Sequence, residues 1–76
     1  MNDRTNETST VNSLLQTTID SINGYEDSAQ NVDSERLRTI FRERANERQQ
    51  VAQQLRDEVR RLGGDPESSG SLMGKT

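Results

Sequence analysis

Apolar residues recur at steps of three and four in two separate stretches of the chain. In the first stretch, residues 10–30, they are Val11, Leu14, Leu15, Ile19, Ile22, Tyr25 and Ala29. In the second, residues 34–62, they are Leu37, Ile40, Phe41, Val51, Ala52, Leu55, Val59 and Leu62. This spacing places each set on one side of an α-helix. The pattern therefore predicts two amphipathic helices.

Local signals mark the ends of these helices. Ser9 or Thr10 can cap the first, and Asp33 suits the N-cap of the second. Gly63 fits the left-handed position that ends a helix, and Pro66 prevents its continuation. We predict a disordered tail over 1–9, a helical hairpin over 10–64 and a flexible tail or linker over 65–76. Within the hairpin we expect a helix over 10–30, a turn at 31–33 and a helix over 34–62.

The short turn makes the two helices antiparallel neighbours. Only 26% of the residues are hydrophobic, with one Phe, one Tyr and no Trp, so a single hairpin buries little apolar surface. The predicted fold class is therefore all-α: an antiparallel two-helix hairpin that is half of a four-helix bundle. We expect self-association, as a homodimer or larger homo-oligomer, to complete the bundle.

Composition excludes several classes of function. The net charge is −3 with acids and bases interleaved, and no basic patch with aromatic residues points to nucleic acid. The chain has no Cys and no His, which leaves conventional hydrolytic catalysis without a base or a thiol. The polar N-terminus is unlike a signal peptide, and no apolar run approaches membrane-spanning length. We expect a cytoplasmic protein that binds neither membranes nor nucleic acid.

The middle of the second apolar stripe is charged. Arg44, Glu47 and Arg48 occupy it between Phe41 and Val51. Either these long side chains bury their stems and carry their charges to water, or they form an ionic or metal-binding layer at the waist of a bundle.

Two residues late in the first helix bear on the choice between solvated charges and an ionic or metal-binding layer. Glu26 borders the first stripe and is either a rim residue or a metal ligand. Tyr25 is expected in the core, with its hydroxyl on a polar partner.

Three fragments occur together in order: Gly24-Tyr25-Glu26, the Asp-Ser-Glu-x-Leu segment that starts at Asp33, and the run from Arg60 to Ser71. Together they resemble the bacterial ferritin-like four-helix bundle proteins catalogued as domain of unknown function 2383. The resemblance implies a ferritin-like bundle whose second hairpin normally follows a Gly- and Ser-rich linker. We expect this sequence to be either the first half of such a protein or a stand-alone hairpin. The resemblance also implies a link to stress responses.

A more distant resemblance is to the encapsulated ferritins, two-helix chains that pair around a di-iron ferroxidase site. Their Tyr-Glu motif matches Tyr25-Glu26, and their Glu-x-x-His motif starts at Glu47 and places Gln50 where they have His. The resemblance implies Glu26, Glu47 and Gln50 as metal ligands. Because an amide replaces the imidazole and Arg44 lies beside the same layer, it also implies a degraded or lost site. Iron is then a candidate ligand and no cofactor is required.

Helix geometry constrains any such site. A turn centred at residues 31–32 would place Glu26 opposite Leu37, roughly 15 Å along the axis from Glu47. On this geometry a shared ion needs residues from two hairpins.

Three functions follow from these observations. The first is a self-associating structural or interaction module with a polar network that includes Tyr25, Arg44 and Arg48. The alternative is a carboxylate-based iron-binding or ferroxidase-like protein with a site between subunits, which is the only candidate enzymatic activity. The third is a docking peptide that contacts a protein partner through the C-terminal tail, residues 71–75.

Overall fold

The computed structural model describes residues 3–68, with side chains from residue 6 onward. It contains two helices, α1 (Asp3–Asn31) and α2 (Glu35–Arg61), joined by residues 32–34. The helices pack against each other along their lengths, and the described residues contain no strand. The predicted all-α helical hairpin is confirmed.

Helix α1 begins well before its predicted start at residue 10. Residues 3–9, expected in a disordered tail, are helical. The extension is accompanied by a contact with the far end of the described chain, where Gly64 packs against Thr8: a Cβ atom on Gly64 would overlap the Thr8 methyl group. Residues beyond α2 thus lie along the first turns of α1. The extended α1 has 29 residues against 27 in α2, so the two helices have similar lengths.

The turn differs from the prediction by one residue at each end. Helix α1 continues through Asn31, and Ser34 rather than Asp33 is the N-cap of α2. The Ser34 hydroxyl accepts a hydrogen bond from the backbone N–H of Leu37 at 3.2 Å, which satisfies one of the free donors at the helix start.

Helix α2 ends as the glycine pattern predicts. Gly63 adopts a left-handed conformation, with φ of +90°. Its N–H donates to the carbonyl of Arg60, and the N–H of Gly64 donates to the carbonyl of Val59, both at 2.9 Å. This pair of bonds is the Schellman motif, which satisfies the last carbonyls of the helix.

Arg38 of α2 ties down the end of α1. Its Nε donates to the carbonyl of Ala29 at 3.1 Å, and its terminal NH2 donates to the carbonyl of Val32 at 2.6 Å. Helix α1 has no basic residue in its own last turn. A side chain from the neighbouring helix therefore supplies the positive charge and the donors that the C-terminal end of α1 lacks.

Small residues of α2 form its side of the core. The buried hydrophobic residues of the hairpin are Leu15, Ile19, Ile22, Ala29, Ala45, Ala52, Val59 and Leu62. Ala45, Ala52 and Val59 follow one another at steps of seven and face α1. Alanine at a contact allows two helices to approach closely. Val59 is fully buried and Leu55 packs against the core, whereas Leu37 and Val51 remain exposed.

The segment after α2 is attached to α1 by one side chain. The Asn12 amide donates to the carbonyl of Asp65, and its oxygen accepts from the N–H of Glu67, both at 2.9 Å. Residues 65–67, predicted as the start of a flexible tail, are therefore held in place. The predicted docking residues Leu72 and Met73 lie outside the described residues.

No helix in the described part of the chain has an apolar stretch long enough to cross a membrane.

Candidate interaction face

Large apolar side chains remain exposed on the hairpin. Leu37 and Val51 of α2 are each 43% exposed, and Leu14 of α1 is 54% exposed. Ala45 and Ala52 of α2, in contrast, are almost completely buried. The core side of α2 thus carries two alanines and Val59, while Leu37 and Val51 of the same helix stay in contact with solvent.

Contacts at Tyr25 show which side of the hairpin these residues share. The Tyr25 and Phe41 rings lie 6.1 Å apart, centroid to centroid, and the Arg48 guanidinium lies 5.1 Å from the centroid of the Tyr25 ring. On the flank of α2 away from the buried Ala45 and Ala52, steps of three or four from Phe41 and Arg48 reach Leu37, Arg44 and Val51, and a further step of four reaches Ile40 and Leu55. On α1, Leu14 lies three turns before Tyr25. This side, called the outer apolar face below, consists of Leu14, Tyr25, Leu37, Ile40, Phe41, Arg44, Arg48, Val51 and Leu55.

Two arginines occupy the middle of the outer apolar face. Arg44 donates to the carboxylate of Glu47 at 2.5 Å, and this hydrogen bond raises the pKa of the Arg44 guanidinium above its ordinary value. Arg48 lies over the ring of Tyr25. The structure thus brings Tyr25, Arg44 and Arg48 to one side, and the polar network proposed for them stays a prediction. In the single hairpin these groups are half-buried, and no polar residue among those described is fully buried.

Glu26 lies on the other side of the hairpin. Its carboxylate accepts a hydrogen bond from the Gln49 amide at 3.3 Å. It also lines an open cavity of about 320 Å³ together with Ala29, Gln30, Arg42, Ala45 and Asn46. The polar and charged members of this lining make it a polar side, opposite the outer apolar face.

The Glu26–Gln49 contact shows that the predicted register is wrong. Glu26 was expected opposite Leu37, roughly 15 Å along the axis from Glu47. Side chains of a helix lean toward its N-terminus. In an antiparallel hairpin Glu26 therefore leans away from the turn and Gln49 leans toward it, which brings the two side chains closer than their backbones. The Glu26 carboxylate reaches Gln49, only two positions from Glu47.

The predicted metal ligands do not converge within one hairpin. Glu26 lies on the polar side, whereas Glu47 is paired with Arg44 at the edge of the outer apolar face. Gln50 is exposed and lies across α2 from the buried Ala45 and Ala52. Among the described residues no three His, Cys, Asp or Glu side chains are grouped so that they could hold a metal ion. The residues of a single hairpin do not fit a di-iron centre.

The described residues thus define an antiparallel helical hairpin with one partly apolar face and one polar face. The chain matches the model of the family described as "Domain of unknown function (DUF2383)" over residues 6–76, and it belongs to this family. Comparisons with curated proteins and with solved structures gave no match. The family membership predicted from the three fragments is confirmed. The relationship to ferritin-like bundles and the cytoplasmic location stay predictions.

Proposed function

We propose that the chain is a self-associating structural or interaction module whose outer apolar face packs against a second hairpin. One observation carries this proposal: Leu37 and Val51 are each 43% exposed on α2, while Ala45, Ala52 and Val59 of the same helix form the core. A hairpin that served only its own stability would bury the larger side chains, because buried apolar area gives the stabilisation.

The small core adds a second argument. Four of the eight buried hydrophobic residues of the described chain are Leu or Ile, and three are Ala. Chains of this size often need a disulfide, a metal or association to reach ordinary stability. The sequence has no Cys, so disulfides are excluded. Association through the outer apolar face would bury the exposed Leu14, Leu37 and Val51.

The charged residues on this face help to select the partner. Arg44 and Arg48 lie among apolar residues, where their stems can be covered while their guanidinium groups keep the partners they have in Glu47 and Tyr25. Charged groups at such a position contribute little net stability, and their main effect is on register and partner choice. The module is therefore expected to associate in one defined arrangement.

The test compares two lysine substitutions at neighbouring positions. Val51→Lys places a charge on the outer apolar face. Gln50→Lys places the same charge on the exposed side of α2 that points away from α1. Light scattering of the purified wild-type chain is expected to give a dimer or larger species, with a melting temperature that rises with protein concentration. Val51→Lys is expected to be monomeric at concentrations where Gln50→Lys is not.

A monomeric wild-type chain with a melting temperature independent of concentration would contradict the proposal. Equal masses for the two lysine variants would remove the outer apolar face from the association.

A further inference from the structure

We infer that two copies of this chain pack α2 against α2 in antiparallel orientation, with a two-fold axis passing between Glu47 and Arg48. This inference rests on the proposed self-association and adds the arrangement of the partner.

Two pairs of outward positions of α2 are complementary about that point. In an antiparallel pair of identical helices, residues equally distant from the axis face each other across the interface. For an axis between Glu47 and Arg48, Ile40 of one copy faces Leu55 of the other, and Arg44 faces Val51. Glu47 faces Arg48. The apolar Ile40 and Leu55 therefore meet on both sides of the axis, and Glu47 meets Arg48 at its centre. Further out, the same axis places Leu37 opposite Glu58 and Phe41 opposite Gln54.

Charge complementarity selects this orientation over the parallel one. In a parallel pair each residue faces its own copy, so Arg44, Glu47 and Arg48 would each meet a like charge. In the antiparallel pair the Glu47 carboxylate of one copy meets the Arg48 guanidinium of the other. Within one hairpin Arg48 contacts the Tyr25 ring and forms no ion pair among the described residues. The Arg48 guanidinium can therefore donate hydrogen bonds to a carboxylate of the second copy.

The α1 part of the outer apolar face offers no such charge complementarity. Ser21 and Ser28 line an open cavity there with Tyr25 and Phe41. This part of α1 carries hydroxyl groups and no carboxylate that could meet Arg44 or Arg48 of another copy. Contact of α2 with α1 of the second copy is therefore the less favoured arrangement, and it is a separate outcome of the test.

Cysteine cross-linking tests the orientation directly, because the natural sequence contains no Cys. Ile40→Cys and Leu55→Cys are prepared as single variants, each with a tag of different size. In the inferred dimer, two copies of Cys at position 40 would be roughly 22 Å apart, beyond the reach of a disulfide. Oxidation of a refolded mixture is expected to give a cross-linked species that contains both tags. Neither variant alone is expected to cross-link.

Each other result overturns the inference in a recognisable way. Cross-linking of either variant with itself would show parallel helices. A dimer by light scattering that does not cross-link in the mixture would show that α2 faces another element, such as α1. A monomer by light scattering would defeat the proposed self-association itself, and the inferred arrangement with it. The mass thus separates failure of the proposed function from failure of the orientation.

Charge exchange tests the central pair. Glu47→Arg is expected to raise the dimer dissociation constant by at least about tenfold, because it faces Arg48 with a like charge. The double variant Glu47→Arg/Arg48→Glu restores opposite charges across the axis and is expected to dimerise more tightly than Glu47→Arg. Glu43→Arg, one heptad before the exposed Gln50, is the control and should leave the dissociation constant within about twofold. A double variant no tighter than the single one would exclude the Glu47–Arg48 contact.

Discussion

The side chain of Asn12 and the backbone of Asp65 are joined by a hydrogen bond of 2.9 Å, although 53 positions separate them in the sequence. The same amide accepts a bond from the N–H of Glu67. One asparagine therefore holds the chain on both sides of Pro66 and sets the direction in which it leaves the hairpin.

Replacing Asn12 should release this segment. Asn12→Asp loses the donor to the Asp65 carbonyl and places a carboxylate against it, so we expect a loss of about 1 kcal/mol in the free energy of unfolding. Hydrogen exchange at the Glu67 amide should accelerate as well, because repulsion between the new carboxylate and the Asp65 carbonyl moves the segment that carries this amide away from α1. Asn23→Asp changes an exposed asparagine in the middle of the same helix and serves as the control. Unchanged exchange at Glu67 would contradict the role assigned to Asn12.

Arg38→Lys should destabilise the hairpin more than its conservative chemistry suggests. Lysine keeps the charge but cannot reproduce the guanidinium fork that reaches the carbonyls of Ala29 and Val32 together. We expect a loss of about 1–2 kcal/mol, which lowers the melting temperature of a domain of this size by several degrees. The control is Arg36→Lys at an exposed position of the same helix. If both variants melt at the same temperature, the carbonyl contacts of Arg38 contribute nothing measurable.

Two glycines should respond to alanine with opposite signs. A Cβ on Gly24 would meet no atom within 4 Å, and alanine is the better helix former, so Gly24→Ala should stabilise the hairpin by about 0.5–1 kcal/mol. Gly63 has a left-handed backbone that alanine tolerates poorly, so Gly63→Ala should cost about 1 kcal/mol. Urea unfolding measures both. A destabilising Gly24→Ala with reduced association would instead show that another helix approaches closely at Gly24.

The parts of the fold that could be predicted rest on local signals. The three-and-four spacing predicts both helices, and Gly63 predicts where α2 ends. The start of α1 could not be predicted because residues 3–9 contain no apolar residue. Their helix is accompanied by the contact of Thr8 with Gly64, on a segment 56 positions away. The N-cap at Ser34 was missed by one residue, because Asp33 and Ser34 are equally good capping residues.

The outer apolar face shows a different limit of prediction from the sequence. Apolar positions cover a wide sector of α2, from Ala52 and Val59 on one flank to Ile40 and Val51 on the other. The sequence alone does not reveal which flank faces α1. That depends on how closely the helices approach, which the buried Ala45 and Ala52 permit. Tyr25, Arg44 and Arg48 could be selected from the sequence, whereas the exposure of Leu37 and Val51 needed the structure.

The pairing of Glu58 with Arg61 should contribute to the pH dependence of stability. The hydrogen bond from Arg61 lowers the pKa of the Glu58 carboxyl. A carboxyl with a lower pKa in the folded state stabilises that state above its unfolded pKa, and the contribution is lost as the pH falls through the folded value. Wild type should therefore lose more stability than Glu58→Gln between about pH 5 and pH 3.

Thermal unfolding at several pH values measures this difference. Glu43→Gln removes another exposed carboxylate of α2, one that forms no ion pair among the described residues. Its melting temperature should change with pH by the same slope as that of the wild type. Identical slopes for wild type and Glu58→Gln would show that the pair is too exposed to matter.

Iron(II) titration of the metal-free chain under anaerobic conditions tests the remaining alternative. We expect no saturable binding, because Arg44 neutralises the Glu47 carboxylate at 2.5 Å and Glu26 lies on the polar side of the hairpin. Removing the Arg44 cation should increase the affinity for iron(II), so Arg44→Gln is the informative variant. If Arg44→Gln binds iron and Arg44→Gln/Glu47→Gln does not, Glu47 is a latent ligand that the arginine blocks. Saturable binding by the wild-type chain, lost in Glu26→Gln or Glu47→Gln, would contradict our expectation and assign these carboxylates to a site between hairpins.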